Sequence, residues 1–245
     1  MDGDRAGGRR RSARVTAVGS DELTAAVAVD LPLRGEWTVV TTPAHRIPSH
    51  GTDALGLRYA YDLLRLDRRG RYHPASAARL LLRGVPTQEC YGWGEPVHAP
   101  FDAVVVSAGD GAVEPDRVHP LVGAVHRVLA AATFRPTREG ARRVMGNHVV
   151  SESGGRCAAF AHLAPGSIVV SAGDRARRGQ VVGRVGHTGN STSPHLHFQL
   201  MDGPDPLTAR GAPCAFRRYE ALRDGTWEPV ERGFPRRLER IRSIA

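Results

Sequence analysis

A chain of 245 residues with 41% hydrophobic content is long enough to bury a core, and no run in it approaches the ~20 apolar residues of a membrane-spanning helix. The formal charge is +9, and all 34 basic side chains are arginine, since the sequence contains no lysine. The arginines are scattered without interleaved aromatics, which argues for a solvated basic surface and against a specific nucleic-acid site. The three cysteines, Cys90, Cys157 and Cys214, lack CxxC spacing, exclude a zinc finger and allow at most one disulfide.

Residues 1–25 are rich in Gly, Arg and Ser and are expected to form a disordered basic segment. The stretch after the basic start is broken by Ser20, Asp21, Glu22 and Asp30, a poor apolar region for a signal peptide, and leaves the compartment open. The main domain is expected over 26–215. Within it, EWTVVTT reads as a strand, PSHGTDALG as a turn-rich loop and RYAYDLLRL as a second strand. Residues 67–93 form a polar, Arg-rich connection, and VHAPFDAVVVSAGDG reads as a strand closed by a Gly-Asp-Gly turn. High glycine and proline content, 28 and 17 residues, favours many turns and short strands.

The pattern changes over 115–145. Leu121, Val125, Val128, Leu129 and Ala132 recur at helical spacing, and residues 137–144 predict a second short helix. This reads as a helical insertion whose apolar stripe should be buried against a neighbouring surface. Strands then return through NHVVSES, RCAAFAHL, SIVVSAGD, QVVGRVGHTG and HLHFQLM. Residues 216–245 read as an Arg-rich C-terminal tail with a weak helical pattern at its end.

Of the 11 histidines, His73, His119, His126 and His187 sit in polar or helical contexts that suit solvated or locally hydrogen-bonded rings. The segment SPHLHFQL differs. Strand alternation sends His195, His197 and Gln199 to one face and Leu196, Phe198 and Leu200 to the other, so two imidazoles stand roughly 7 Å apart on a polar face. That arrangement suits a metal ligand beside an acid or base. The same alternation predicts that Phe160 and His162 share a face. Asp62 lies among apolar and aromatic residues, where an ionised carboxylate needs an arginine, a hydrogen-bond network or a metal.

The run GDRARRGQVVGRVGHTGNSTSPHLHFQL, residues 173–200, resembles the signature of the lysostaphin-type, or LytM-type, metallopeptidases of family M23. Residues 94–103, GEPVHAPFDA, residues 146–150, GNHVV, and residues 161–163, AHL, are similar to further motifs of that family in the same order. The resemblance covers roughly residues 40–205 outside the insertion. It implies a mainly β fold, an antiparallel sheet or sandwich of the duplicated hybrid-motif type, carrying one zinc ion per chain. It further implies hydrolysis of peptide bonds in cell-wall peptidoglycan and a place in the envelope or outside the cell, and it leaves the oligomeric state open.

Carried over residue by residue, the resemblance makes Asp62 and His197 zinc ligands and His162 and His195 catalytic. Family members place their first ligand four residues before the aspartate, in H-x-x-x-D. This chain has Arg58 there, which cannot ligate zinc. His50 is expected to complete the set, ahead of His45 and Asp53. It preserves a His/His/Asp donor set, and Gly51 and Gly56 let its loop fold back toward Asp62. The departure at Arg58 also supports an alternative: a degenerate, non-catalytic LytM-like domain that binds or regulates cell-wall hydrolases. A biotinyl- or lipoyl-carrier reading of the 173–183 turn is excluded, because it needs a lysine.

Overall fold

The computed structural model describes residues 24–244, so the N-terminal segment expected to be disordered lies, over 1–23, outside the described residues. The strands are β1 (Val27–Val29), β2 (Glu36–Thr41), β3 (Tyr61–Leu64), β4 (Val85–Pro86), β5 (Pro96–His98), β6 (Ala103–Gly109), β7 (Arg117–Val118) and β8 (Asn147–Ser153). They continue as β9 (Arg156–Leu163), β10 (Arg175–Ala176), β11 (Val181–Arg184), β12 (Leu196–Met201), β13 (Gly211–Ala212), β14 (Cys214–Arg223), β15 (Thr226–Gly233) and β16 (Arg240–Arg242). Helices are α1 (Ala77–Arg83), α2 (Pro120–Thr133) and α3 (Arg138–Met145). The fold is therefore mainly β with a helical insertion, as expected.

One large sheet runs in the order β1-β14-β16-β2-β3-β12-β9-β8-β6-β10, with β13 beside β12 and β15 beside β14. Every pairing is antiparallel except β1 with β14. The small β5–β11 pair packs over one face of this sheet, and the core lies between them: Val97 and Val182 meet Phe160, Leu196 and Phe198. Alternation explains which side chains reach it. On β12, Leu196, Phe198 and Leu200 are fully buried in the core, and on β3 so are Tyr61 and Leu63. Phe160 and Phe198 stack at 5.5 Å between ring centroids, adding a directional aromatic contact to their burial.

Two expectations are corrected here. Beyond Phe216, the chain is strand rather than a tail with helical character. β14, β15 and β16 join the main sheet, and Phe216, Tyr219, Ala221 and Ile241 enter its core. The abundant arginines sit on the outward positions, where they pair with carboxylates: Arg218 with Glu231, Arg223 with Glu239, Arg242 with Glu220. The second correction concerns α2. Its stripe is not buried, since Leu121, Val125, Val128 and Leu129 are each more than half exposed. Pro120 opens the helix at a position where its missing N–H costs nothing, and at Gly123 a side chain would come within 3.8 Å of the Thr192 carbonyl oxygen.

The insertion is anchored instead by α3. Thr137 caps its start by accepting from the Gly140 N–H at 3.1 Å. Gly146 ends it at φ 64°, and a side chain there would meet Thr188 Oγ1 at 2.5 Å and the Gly189 backbone at 2.6 Å. The three cysteines are buried and free.

The placement of β14 in the core generates a stability test. Phe216→Ala should lower the unfolding free energy by about 3–5 kcal/mol in urea titrations. A loss below about 1 kcal/mol would mean that the C-terminal strands are peripheral.

Candidate metal centre

Asp62 and His197 are directly opposed across the β3–β12 pairing, so their side chains rise together from the face away from the core. The loop between β2 and β3 brings His50 to the same carboxylate. Its return path depends on Gly56, whose φ is 71° and where a Cβ would fall 2.8 Å from Met201 Cγ and 2.9 Å from Gln199 Nε2. The loop thus lies directly on β12. His50 Nε2 comes within 3.0 Å of Asp62 Oδ2, and His197 Nδ1 within 2.9 Å of Asp62 Oδ1. One donor atom from each of the three residues lies within 4.8 Å of the other two.

Hydrogen bonding on the far side of each ring assigns its tautomer. The Ser49 hydroxyl donates to the Leu57 carbonyl at 3.0 Å, so toward His50 it can only accept, and His50 Nδ1 carries the proton at 3.1 Å. The Gln199 amide N–H donates to the Leu55 carbonyl at 2.8 Å, which turns its oxygen to His197 and places that proton on Nε2, also at 2.8 Å. The nitrogens facing Asp62 are therefore His50 Nε2 and His197 Nδ1, which bear lone pairs when the rings are neutral. Two lone pairs held against a carboxylate repel unless a cation or an extra proton lies between them. A His/His/Asp set presenting lone pairs inward is the donor chemistry of a zinc site, and the residues fit the ion.

His195 and His162 flank these three. His195 donates from Nδ1 to the Ser193 carbonyl at 2.8 Å and turns Nε2 toward Asp62 Oδ1 at 3.5 Å. His162 donates from Nδ1 to the Thr188 carbonyl at 2.9 Å, and its ring lies 4.8 Å from that of His195 and 5.8 Å from that of His197. Burial pushes the Asp62 carboxyl up, but with an extra proton on the facing rings the charge of His50 and hydrogen bonds from His195, His197 and His50 outweigh it and hold it well below its usual range. Burial, reinforced by the two neighbouring imidazoles, holds His162 well below the ordinary histidine value. Burial also lowers His195, but its contact with Asp62 prevails and leaves it raised.

Simple alternation does not bring His162 here. Phe160 faces the core, whereas Ala159 and Ala161 face the groove, so an unbroken strand would bury His162 beside Phe160. The pairing of β8 with β9 shifts register between Asn147 and Val149, and His162 takes φ 63°. That bulge turns the imidazole to the groove side and corrects the expectation that Phe160 and His162 share a face.

The structure thus brings together His50, Asp62, His162, His195 and His197 in a groove of 580 Å³, with Val144 and Met145 of the insertion among its walls. It does not bring in the other candidates. Arg58 turns away to Asp53 at 2.9 Å and to the Tyr59 hydroxyl at 3.1 Å, occupying both itself and Asp53. His45 is exposed in an adjoining hollow. Ser49 and the carbonyls of Thr188 and Ser193 were not evident from sequence. Adjacency to His50 was the one signal for Ser49, and backbone acceptors leave none. His187, expected to be locally hydrogen-bonded, is buried and bonds through Nδ1 to Ser191 Oγ at 2.8 Å.

Comparison with known proteins agrees with the layout. Residues 89–209 match the model of peptidase family M23. Peptidoglycan DD-endopeptidase ShyA of Vibrio cholerae serotype O1 is 31% identical over 114 residues, 46% of this chain and 21% of that protein. Glycyl-glycine endopeptidase ALE-1 of Staphylococcus capitis is 50% identical over 42 residues, 17% of this chain and 11% of that protein. The chain therefore spans about a fifth or less of these relatives. The catalytic domain of lysostaphin from Staphylococcus simulans aligns at 19% identity with a TM-score of 0.36, covering 73% of this chain and 88% of that one. The family match includes His162, His195 and His197 but begins after Asp62, so it does not cover His50 and Asp62, which the geometry brings to His197. The family model, together with the motifs and their order, makes residues 89–209 a LytM-type domain of peptidase family M23.

Proposed function

We propose that this protein is a zinc-dependent endopeptidase that hydrolyses peptide bonds in cell-wall peptidoglycan, with His50, Asp62 and His197 as the metal ligands and His162 and His195 as the catalytic histidines. The observation that carries the reading is the pair of imidazole nitrogens, His50 Nε2 and His197 Nδ1, held within 3.0 and 2.9 Å of Asp62, beside two further histidines in one groove. The peptidoglycan substrate is supported by the names of the two relatives.

The chemistry that a zinc ion supplies in such a site is Lewis-acid polarisation of the scissile carbonyl and a water made acidic enough to attack near neutral pH. The protein's own part is positional and protonic. Ser49 and Gln199 hold the two ligand rings in the tautomer that presents a lone pair inward. His162 and His195 are each anchored through Nδ1 to a backbone carbonyl and keep Nε2 for the reaction. One accepts the proton of the attacking water. The other, once protonated, donates to the tetrahedral oxyanion or to the leaving amine.

Arg58 favours a second reading, a non-catalytic domain that binds or regulates cell-wall hydrolases. The approach of His50 to Asp62 weighs against it, since a third donor is present where the usual one is missing.

The decisive measurement is metal content with chelator-sensitive digestion of purified peptidoglycan. About one zinc per chain is expected, with release of new amino groups that a chelator stops and added zinc restores. Bound zinc without cleavage would favour the non-catalytic reading, and absence of both would sink the metal site. In single variants, His197→Ala and His50→Ala should lose zinc and activity together, while His195→Ala and His162→Ala lose activity and keep zinc. Equal zinc loss in all four would refute this division. Ser49→Ala and Gln199→Leu should each weaken zinc affinity by about 10–100-fold in competition with a chromophoric chelator, with little change in thermal unfolding. Unchanged affinity in both would show that the tautomer assignment is wrong.

A further inference from the structure

The active-site groove does not end at the metal centre. It shares Thr41, Arg46 and Ser49 with an adjoining hollow of 250 Å³ that is also lined by His45 and Arg237. The hollow contains no acidic side chain, and the groove's one carboxylate, Asp62, is engaged by three histidines. Arg46 is oriented rather than free-swinging. Its Nε donates to the Ser49 carbonyl at 3.0 Å, one residue before His50, which leaves its two terminal nitrogens as unused donors. Among the described residues, neither Arg46 nor Arg237 forms an ion pair, although arginines near Arg237 in sequence do: Arg240 pairs with Glu36, and Arg223 with Glu239.

We propose that Arg46 and Arg237 form a carboxylate-binding end of the groove, so that the peptide cleaved carries an anionic carboxylate near its scissile bond. The inference rests on the endopeptidase reading above and names the substrate class for the same groove. Two exposed guanidinium groups lining one hollow complement a carboxylate in charge, each can offer it a fork of donors, and a guanidinium stays charged at any pH the protein meets. A neutral, glycine-only cross-link would leave both cations unmatched. An acidic residue or a free C-terminal carboxylate would satisfy them while the adjacent peptide bond lies beside His50 and His195.

The test uses two synthetic wall-type peptides that differ only in one carboxylate, free in one and amidated in the other. Zinc-loaded full-length protein should cleave the free acid with at least a tenfold higher kcat/KM, the difference residing in KM. Calorimetric titration of the His195→Ala protein should show the same preference without turnover. Arg237→Gln should reduce the preference to less than about threefold while zinc stoichiometry is unchanged. Arg46→Gln should do the same, and Arg237→Gln, which does not touch the His50 loop, keeps the test valid if Arg46→Gln disturbs that loop. Equal cleavage of the two peptides by the unaltered protein, or a preference that survives in both variants, overturns the carboxylate site and leaves the peptidase reading standing. Failure to bind or cleave either peptide overturns both.

Discussion

Asp62 stands between two imidazole nitrogens that, in the neutral rings, have no proton to offer it, and the rest of the site is arranged around that tautomer. An ionised carboxylate withdrawn from water costs several kcal/mol unless compensated. In neutral rings both imidazole protons are spent elsewhere, so the compensation falls to an extra proton on these rings or to a bound cation. The acceptors for the far-side network trace to one short stretch: the carbonyls of Leu55 and Leu57 receive Gln199 and Ser49, which in turn orient His197 and His50. A single irregular turn over residues 54–59 therefore orients two histidines from distant parts of the chain toward Asp62. Leu55 and Gly56, both in the left-handed region, are what let that turn present one carbonyl to Gln199 of β12 and another to Ser49 in the loop before it.

Strain and close packing serve the second pair of histidines. A residue with a side chain at φ 63°, as at His162, costs on the order of 1–3 kcal/mol and persists only where its surroundings hold it. The surroundings are specific. Thr188 accepts from His162 through its carbonyl and donates its hydroxyl to the Leu163 carbonyl, while the Asn147 N–H donates to the same hydroxyl. Gly146 and Gly189 allow two backbones to meet closely enough for Thr188 to make all three bonds.

These details explain which parts of the molecule could be read in advance. The HLH face was legible because β12 is unbulged and a period of two assigns each side chain without ambiguity. Asp62 was legible as a buried charge in need of a partner. The groove placement of His162 came from family likeness, since alternation alone puts it in the core and a one-residue bulge leaves no compositional mark. β14 to β16 were missed because CAFRRYEALR contains a run of charges that hides the inward positions of Phe216, Tyr219 and Ala221. The α2 stripe misled in another way. Periodicity says that a helix has an apolar side, but only the path of the chain decides whether anything lies beneath it.

The attachment of the insertion divides the groove into two parts with different freedoms. Its floor is cross-linked by hydrogen bonds between strands that also form the core, so a change there is felt throughout the sheet. One wall, Val144 and Met145, comes from the end of a helix joined to that floor at the Gly146–Gly189 contact. Helix sequence can therefore drift, lengthen or shorten while the chemistry beneath stays intact. Whatever enters the groove meets a floor fixed by the sheet and one wall that answers only to the helix carrying it.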